Sequence, residues 1–600
     1  MTAGIFNRTL LVTTLTLLSP MALKPQAPPP PHVNAQPAEI KRMPGDGNGA
    51  FKTGKYRDLF AEHGHPTAET KSRLEKAFEQ LFHGDALSER VYFEAGKNEN
   101  GPLGYMTDWA NNDARTEGMS YGMMIAVQMD HKHEFDALWN WSNTYMLITD
   151  PHNPNVGYFA WSMNTDGTPR STGPAPDGEE YYVMALYFAA NRWGNGQGIY
   201  NYKEQADKIL RGMRHHPILT ETGPFKIHTE DQPFQYSPIT SPNTTEREQA
   251  QHNVAVELKA EGKTPPPDPF ARFRQGAQIP QRPVTAGPMV DETYNMIRFV
   301  PDVGPFSNTD ASYHLPAFYE LWARWGPEED RAFWAKAADV SRELFAKVTG
   351  PDTGLTPDRS NFDMSTIAGR DGQPTPFSYD SWRSVSNWSA DYNWWRKDPR
   401  EVILSDRIQK FLVSQGITMF ADRYTLDGKP LSTRHSVGML AAATVGSLAA
   451  TPGPNEKAFV EELWRTPIPV GDQRYFDGML YMFSMLNVSG NYRIWFPTAS
   501  THEPVVLCFT EDDELLRRRQ SIKIHVEQQH IHSGLAQKSK LPLLRVFQHQ
   551  PANGIFGHMP RPGNPSDLKL RRSRSDIGIE PRPRCRHQVD RNISSRMIDL

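Results

Sequence analysis

Thiols are almost missing from this chain. Of its 600 residues only two are cysteines, Cys508 and Cys585, and both lie in the last hundred. Everything before them therefore has no internal disulfide, no thiolate metal site and no cysteine nucleophile. Excess charge of one sign is missing too. The formal net charge is −4, which argues against a general nucleic-acid binder. Long hydrophobic runs are also scarce: the apolar stretch 10–23 is too short to span a bilayer and no later segment is long and apolar enough to span, so stable membrane insertion is not expected. No Asp-rich DDxxD run occurs in the body, and the histidines near the C-terminus form no H-x-x-x-H pair on a convincing helix. Neither a metal nor another cofactor is expected.

Aromatic residues, by contrast, are many, with 14 Trp and 21 Tyr. Flat rings serve as core filling, and also as platforms for the apolar faces of sugars. The segment Asp113-Ala114-Arg115-Thr116-Glu117-Gly118-Met119-Ser120-Tyr121-Gly122-Met123-Met124 gives them a context. One carboxylate, Glu117, stands at the mouth of an apolar helix, and Gly118 and Gly122 let neighbours pack close to it. Such a carboxylate admits two readings. It can be a helix N-cap, stabilised by free N–H groups, or a general acid whose pKa is raised by apolar surroundings. The arrangement recurs: Asp177, Tyr313, Asp380, His435 and Asp477 each precede a further apolar run.

Between these apolar runs lie amphipathic stretches, at 69–82, 133–147, 203–213, 328–348, 399–415 and 454–464. Apolar helices inside and amphipathic helices outside predict an all-α fold, a double ring of helical hairpins. Residues 1–35 read as a secretory signal, with Arg8, the apolar 10–23 stretch and a small-residue site at Val33-Asn34-Ala35; a retained N-terminal anchor is the alternative. Residues 36–60 read as a mobile lead-in and 61–500 as the catalytic body. The Pro-, Thr- and Arg-rich segment 237–288 reads as a surface insertion. The basic stretch 501–600 reads as a disordered tail.

In such a toroid the inner-helix N-termini converge at one end, so Glu117, Asp177 and Asp380 should meet in one cleft. Two carboxylates across a cleft suit glycoside hydrolysis: one protonates the leaving oxygen and the other acts on water or on the anomeric carbon. Arg383, three residues after Asp380, can share its helix face and keep it ionised; a plain surface ion pair is the alternative.

The segments ARTEGMSYGMM, PAPDGEEYYVMALYFAANRW, ASYHLPAFYELWARW, YDSWRSVSNWSADYNWW and SGNYRIW, in this order, resemble glycoside hydrolase family 8 over roughly 60–497. The resemblance implies an (α/α)6 barrel and an inverting mechanism on a β-1,4-linked oligo- or polysaccharide. It implies that Glu117 is the general acid and Asp380 the general base with Arg383 as its partner. It further implies that Asp177 binds and distorts the sugar at the cleavage point, that Tyr313 holds the attacking water and that Trp161 stacks on a sugar. Tyr121, Trp382, His435 and Tyr475 are further expected substrate contacts. The motif forms are similar to the branch containing xylanases and reducing-end xylose-releasing exo-oligoxylanases. Exo enzymes of that branch carry a Leu-His-Pro kink, whereas Ser432-Thr433-Arg434-His435 stands here, as in endo-acting members. The expectation is a secreted or periplasmic, monomeric, endo-β-1,4-xylanase-like hydrolase, with exo-oligoxylanase, β-1,4-glucanase and a non-catalytic carbohydrate-binding barrel as alternatives.

Overall fold

The computed structural model describes residues 44–497, apart from 166, 224, 229–282, 306 and 370–371. The expected signal segment 1–35, the tail 501–600 and most of the 237–288 insertion lie outside the described residues.

Within them, twelve helices alternate between an inner and an outer ring. The inner ones are α2 (Thr116–Met129), α4 (Pro176–Trp193), α6 (Pro316–Trp325), α8 (Arg383–Trp395), α10 (Val437–Val445) and α12 (Arg474–Val488). The outer ones are α1 (Thr67–His83), α3 (Lys132–Trp141), α5 (Tyr202–His215), α7 (Arg331–Val348), α9 (Arg400–Ser414) and α11 (Pro454–Arg465). This is the (α/α)6 barrel. It closes because α12 packs on both α2 and α1, joining the last inner helix to the first hairpin.

Residue pattern explains the layers. In α2 every residue from Gly118 to Gln128 is buried, and α12 is buried along most of its length. A helix apolar on all sides needs cover on all sides, which only an enclosed inner position supplies. The outer α5 buries one stripe, Tyr202, Ala206, Leu210 and Met213, at helical spacing. Close approach among the inner helices needs small residues at their first turns. A Cβ on Gly118 would stand 2.6 Å from the ring of Tyr475, and one on Gly178 would stand 2.4 Å from the Cβ of Thr116. Neither space exists, so alanine at either position would push apart the helix starts that carry the carboxylates.

Two expectations need correction. The stretch after residue 44 is not a mobile lead-in: Ala50, Leu59 and Phe60 are buried, Phe51 stacks on Trp395 at 4.3 Å, and the amide of Ile494 donates to the Tyr56 hydroxyl. Its few apolar residues are enough to anchor it, though their spacing shows no period. The end of the supposed insertion is not a loop either, because Pro283–Ala286 pairs antiparallel with Leu219–Thr222 in a short two-stranded ribbon. Shorter pairings, such as Ala114–Arg115 with Ser162–Met163, also decorate this end of the barrel. Among the described residues no helix is long and apolar enough to cross a membrane.

Candidate active site

The inner-helix N-termini meet at one end of the ring. Glu117 and Asp177 each occupy the first turn of their helices, α2 and α4. Asp380 differs from expectation. It lies in a 3-10 turn, Tyr379–Trp382, and α8 begins only at Arg383. A reciprocal pair of bonds between Ser378 and Ser381 holds that turn. Tyr313 likewise ends a short 3-10 turn, Ala311–Tyr313, because Pro316 delays the start of α6. These turns leave Asp380 and Tyr313 facing the opening rather than the helix flank.

Arg383 organises the site. Its Nη1 donates to Glu117 Oε2 at 2.8 Å and to Asp177 Oδ2 at 2.9 Å, and also to the Tyr121 hydroxyl at 2.8 Å. Its Nη2 lies 3.2 Å from Asp380 Oδ1 and donates to Ser312 Oγ at 3.0 Å. The sequence reading paired Arg383 with Asp380 alone; folding gives it all three carboxylates. The two nitrogens belong to one planar guanidinium, so the bonded oxygens of Glu117 and Asp380 lie within about 8 Å of each other. Burial works against the Arg383 charge, but Tyr121 and the three carboxylates outweigh it and hold the guanidinium protonated.

Burial raises two of the carboxyls. Burial pushes Glu117 up to about 7, opposed by Arg383 and helped by Asp177 and Asp380. Its side chain still keeps 13% of its surface open, which leaves a path to the proton. The Tyr475 hydroxyl donates to Glu117 Oε1 at 2.9 Å and orients it. Asp177 is also raised, chiefly by burial and against Arg383, although its Oδ1 accepts the Gly178 amide. Asp380 has the most open side chain of the three, 45% exposed. Water reaches it freely.

Two lobes of a cleft meet at these groups. The larger, about 860 Å³, is walled by Trp161, Asp177, Tyr313, the 283–286 strand and Phe299 to Pro301. The smaller, about 240 Å³, is walled by Tyr379, Arg434, Asp472, Tyr475 and Phe476. Glu117, Asp380 and Arg115 line both. Trp161 is 40% exposed and lies against the Arg115 guanidinium.

Three expected sugar contacts line neither lobe. Trp382 is fully buried with its indole N–H donating to the Asp422 carbonyl; Tyr379, with a left-handed φ of 42°, presents its ring to the small lobe instead. Such a conformation in a bulky residue is strained and clusters at functional sites. Tyr121 is buried and hydrogen-bonded to Arg383, so it supports the guanidinium from beneath. His435 turns to Phe420, with Nδ1 2.8 Å from the Phe420 carbonyl oxygen. Its neighbour Arg434 takes the cleft side, drawn by Asp422 and Asp477 at 3.2 and 2.5 Å.

Sequence reasoning missed Arg115, Arg434, Asp310 and Asp358. Arg115 is held by Asp113 and Asp108 at 3.1 and 3.2 Å. Asp358 bonds Ser378 and is pushed by burial up to about 7; Asp310, also raised by burial, accepts the Ser312 amide. Only the position of Arg115 two residues before Glu117 was a signal in the chain itself.

Comparison with known proteins agrees with this geometry. The model of glycosyl hydrolases family 8 matches residues 95–235. The reducing-end xylose-releasing exo-oligoxylanase Rex8A of Paenibacillus barcinonensis is 39% identical over 460 residues, 75% of this chain and 99% of that protein. A solved GH8 xylobiose complex from Teredinibacter turnerae is 45% identical, covering 75% of this chain and all of that one, with a TM-score of 0.63. A catalytic-mutant xylanase from the same organism, in complex with xylohexaose, has the same identity, coverage and TM-score. With its barrel closed and its carboxylates gathered on one arginine, the chain belongs to glycosyl hydrolase family 8.

Proposed function

We propose that this protein hydrolyses the β-1,4 bonds of xylan and xylo-oligosaccharides with inversion. The observation that carries the reading is the sharing of Arg383 among Glu117, Asp177 and Asp380, with Glu117 kept protonated to about pH 7. In this reading the scissile bond lies where the two lobes meet. Glu117 gives its proton to the leaving oxygen while Tyr475 keeps the carboxyl aligned. Asp380, solvent-open and beside a cation, takes the proton of a water that attacks the anomeric carbon from the other side. Asp177 accepts hydrogen bonds from the sugar at the cleavage point, and Tyr313 holds the water. Arg383 stays cationic throughout and compensates the charge that moves from Asp380 to Glu117.

The lobes on both sides of the carboxylates favour internal cleavage, and a 45% identical xylanase was crystallised with xylohexaose. Release of single xylose units from the reducing end is the second reading. It is favoured by the much smaller second lobe and by the name of the 39% identical relative. Products of fresh digests decide. A ladder of oligosaccharides from polymeric xylan supports internal cleavage; xylose together with the oligosaccharide shortened by one unit supports the exo reading; no hydrolysis of either overturns the proposal. Proton NMR taken before mutarotation should show the α-anomer first, and an initial β-anomer would mean a covalent intermediate. The reading includes export, for which the basic-then-apolar start at 1–35 is the support. N-terminal sequencing of protein recovered outside the cytoplasm tests it.

A further inference from the structure

The helix that carries Asp177 holds a further carboxyl one turn on, Glu180, which the mechanism does not use. It is completely buried, and so is its partner Tyr319 on α6. The Tyr319 oxygen lies 2.5 Å from Glu180 Oε1 and 3.0 Å from the backbone carbonyl oxygen of Tyr313. A phenol has one proton, whereas a backbone carbonyl only accepts. If both contacts are hydrogen bonds, the phenol donates to the carbonyl and Glu180 must be the donor to the phenol. We infer that Glu180 is a neutral carboxylic acid that acts as a positioning residue, holding Tyr313 at the cleft through the chain Glu180 O–H to Tyr319 O–H to the Tyr313 carbonyl. The inference rests on the proposed role of Tyr313.

The surroundings agree. Among the described residues no cationic side chain bonds Glu180, and its Oε2 has no partner, a far smaller cost for a neutral acid than for a buried carboxylate. The charged or titratable groups acting on it are Asp177 and Glu179 from its own helix, Tyr319 from α6 and Arg383 from α8. Burial raises Glu180 well above the usual carboxylate range, Asp177 and Glu179 add to it, and Tyr319 and Arg383 only partly oppose it. The consequence is mechanical. The chain ties the first turns of α4 to the Tyr313 turn, so it sets the gap between the Asp177 carboxyl and the Tyr313 side chain. Ionising Glu180 would draw the phenol proton to itself, release the Tyr313 carbonyl and add a negative charge one turn from Asp177.

Infrared difference spectroscopy and kinetics test this together. The spectrum of wild type minus Glu180→Gln at neutral pH should contain the carbonyl stretch of a protonated carboxylic acid. Loss of carboxylate bands instead would overturn the inference. This reading needs no catalysis, so it stands apart from the failure of the proposed activity, which would show as no hydrolysis by wild type. In the kinetic arm, Glu180→Gln should keep kcat on xylohexaose, because its amide N–H donates to the phenol as the acid does. Tyr319→Phe should lower kcat between about ten- and a hundredfold with KM little changed, as a small misplacement of a reacting group does. A Glu180→Gln enzyme as slow as Tyr319→Phe, or a Tyr319→Phe enzyme with wild-type kcat, would refute the positioning role.

Discussion

Glu117→Gln should make the enzyme inactive and, near neutral pH, more stable. Burial raises the Glu117 carboxyl from 4.5 to about 7, and that shift is worth about 3 kcal/mol between its two protonation states. The sign follows from linkage. Below about pH 4.5 the group is protonated in both the folded and unfolded chain, and its contribution is fully present. Between about 4.5 and 7 the unfolded chain has lost the proton while the folded one keeps it, so stability falls by about 1.4 kcal/mol per pH unit. Above about 7 the loss is complete. Glutamine has the shape of the neutral acid and never pays this cost. The stability gap between Glu117→Gln and wild type should therefore widen by about 3 kcal/mol from pH 4.5 to pH 8, in favour of the variant. Urea denaturation at a series of pH values measures it, and activity on xylohexaose should fall at least about a hundredfold. A gap that stays flat or narrows with rising pH would mean that Glu117 is already ionised in the fold at neutral pH. It could then not be the general acid, and the reading of the site would fail.

Two further outcomes follow from the same geometry. Asp380→Asn should also be at least about a hundredfold slower, with oligosaccharide binding retained by calorimetry, because the half-open side chain supports no packing; loss of folding would assign it a structural role. Trp161→Ala should raise KM for long xylo-oligosaccharides about two- to tenfold by removing a stacking face, with kcat on short ones unchanged; equal KM values would place Trp161 outside the sugar path.

Local pattern carried the barrel. An apolar run such as 118–128 can be stable only if enclosed, and an amphipathic run such as 202–213 only if half-covered, so the alternation of the two dictates nested rings. It also placed Glu117, Asp177, Tyr313 and Asp380 at one end, because each stands at or just before the start of an inner helix. Turns were not legible in the same way. That Asp380 sits in a 3-10 turn ahead of α8 depends on Ser378 and Ser381 closing on each other, an arrangement no period reveals.

Side-chain direction around those helix starts was decided by tertiary contact alone. Trp382 and Tyr379 are three residues apart in a line of aromatics, yet one is sealed under the Asp422 carbonyl and the other opens on the cleft. Arg434 takes the cleft side expected of His435 because two buried carboxylates, Asp422 and Asp477, hold the cation. The gathering of Glu117, Asp177 and Asp380 on Arg383 joins positions 117, 177, 380 and 383 across three inner helices. Hydrophobic periodicity determined which residues the protein would bring to one end of its ring, because burial of apolar surface is written along a single helix. That Glu117 and Asp177 hold their protons more tightly than free carboxyls was left to the folded ring, because desolvation and the distance to one guanidinium exist only there.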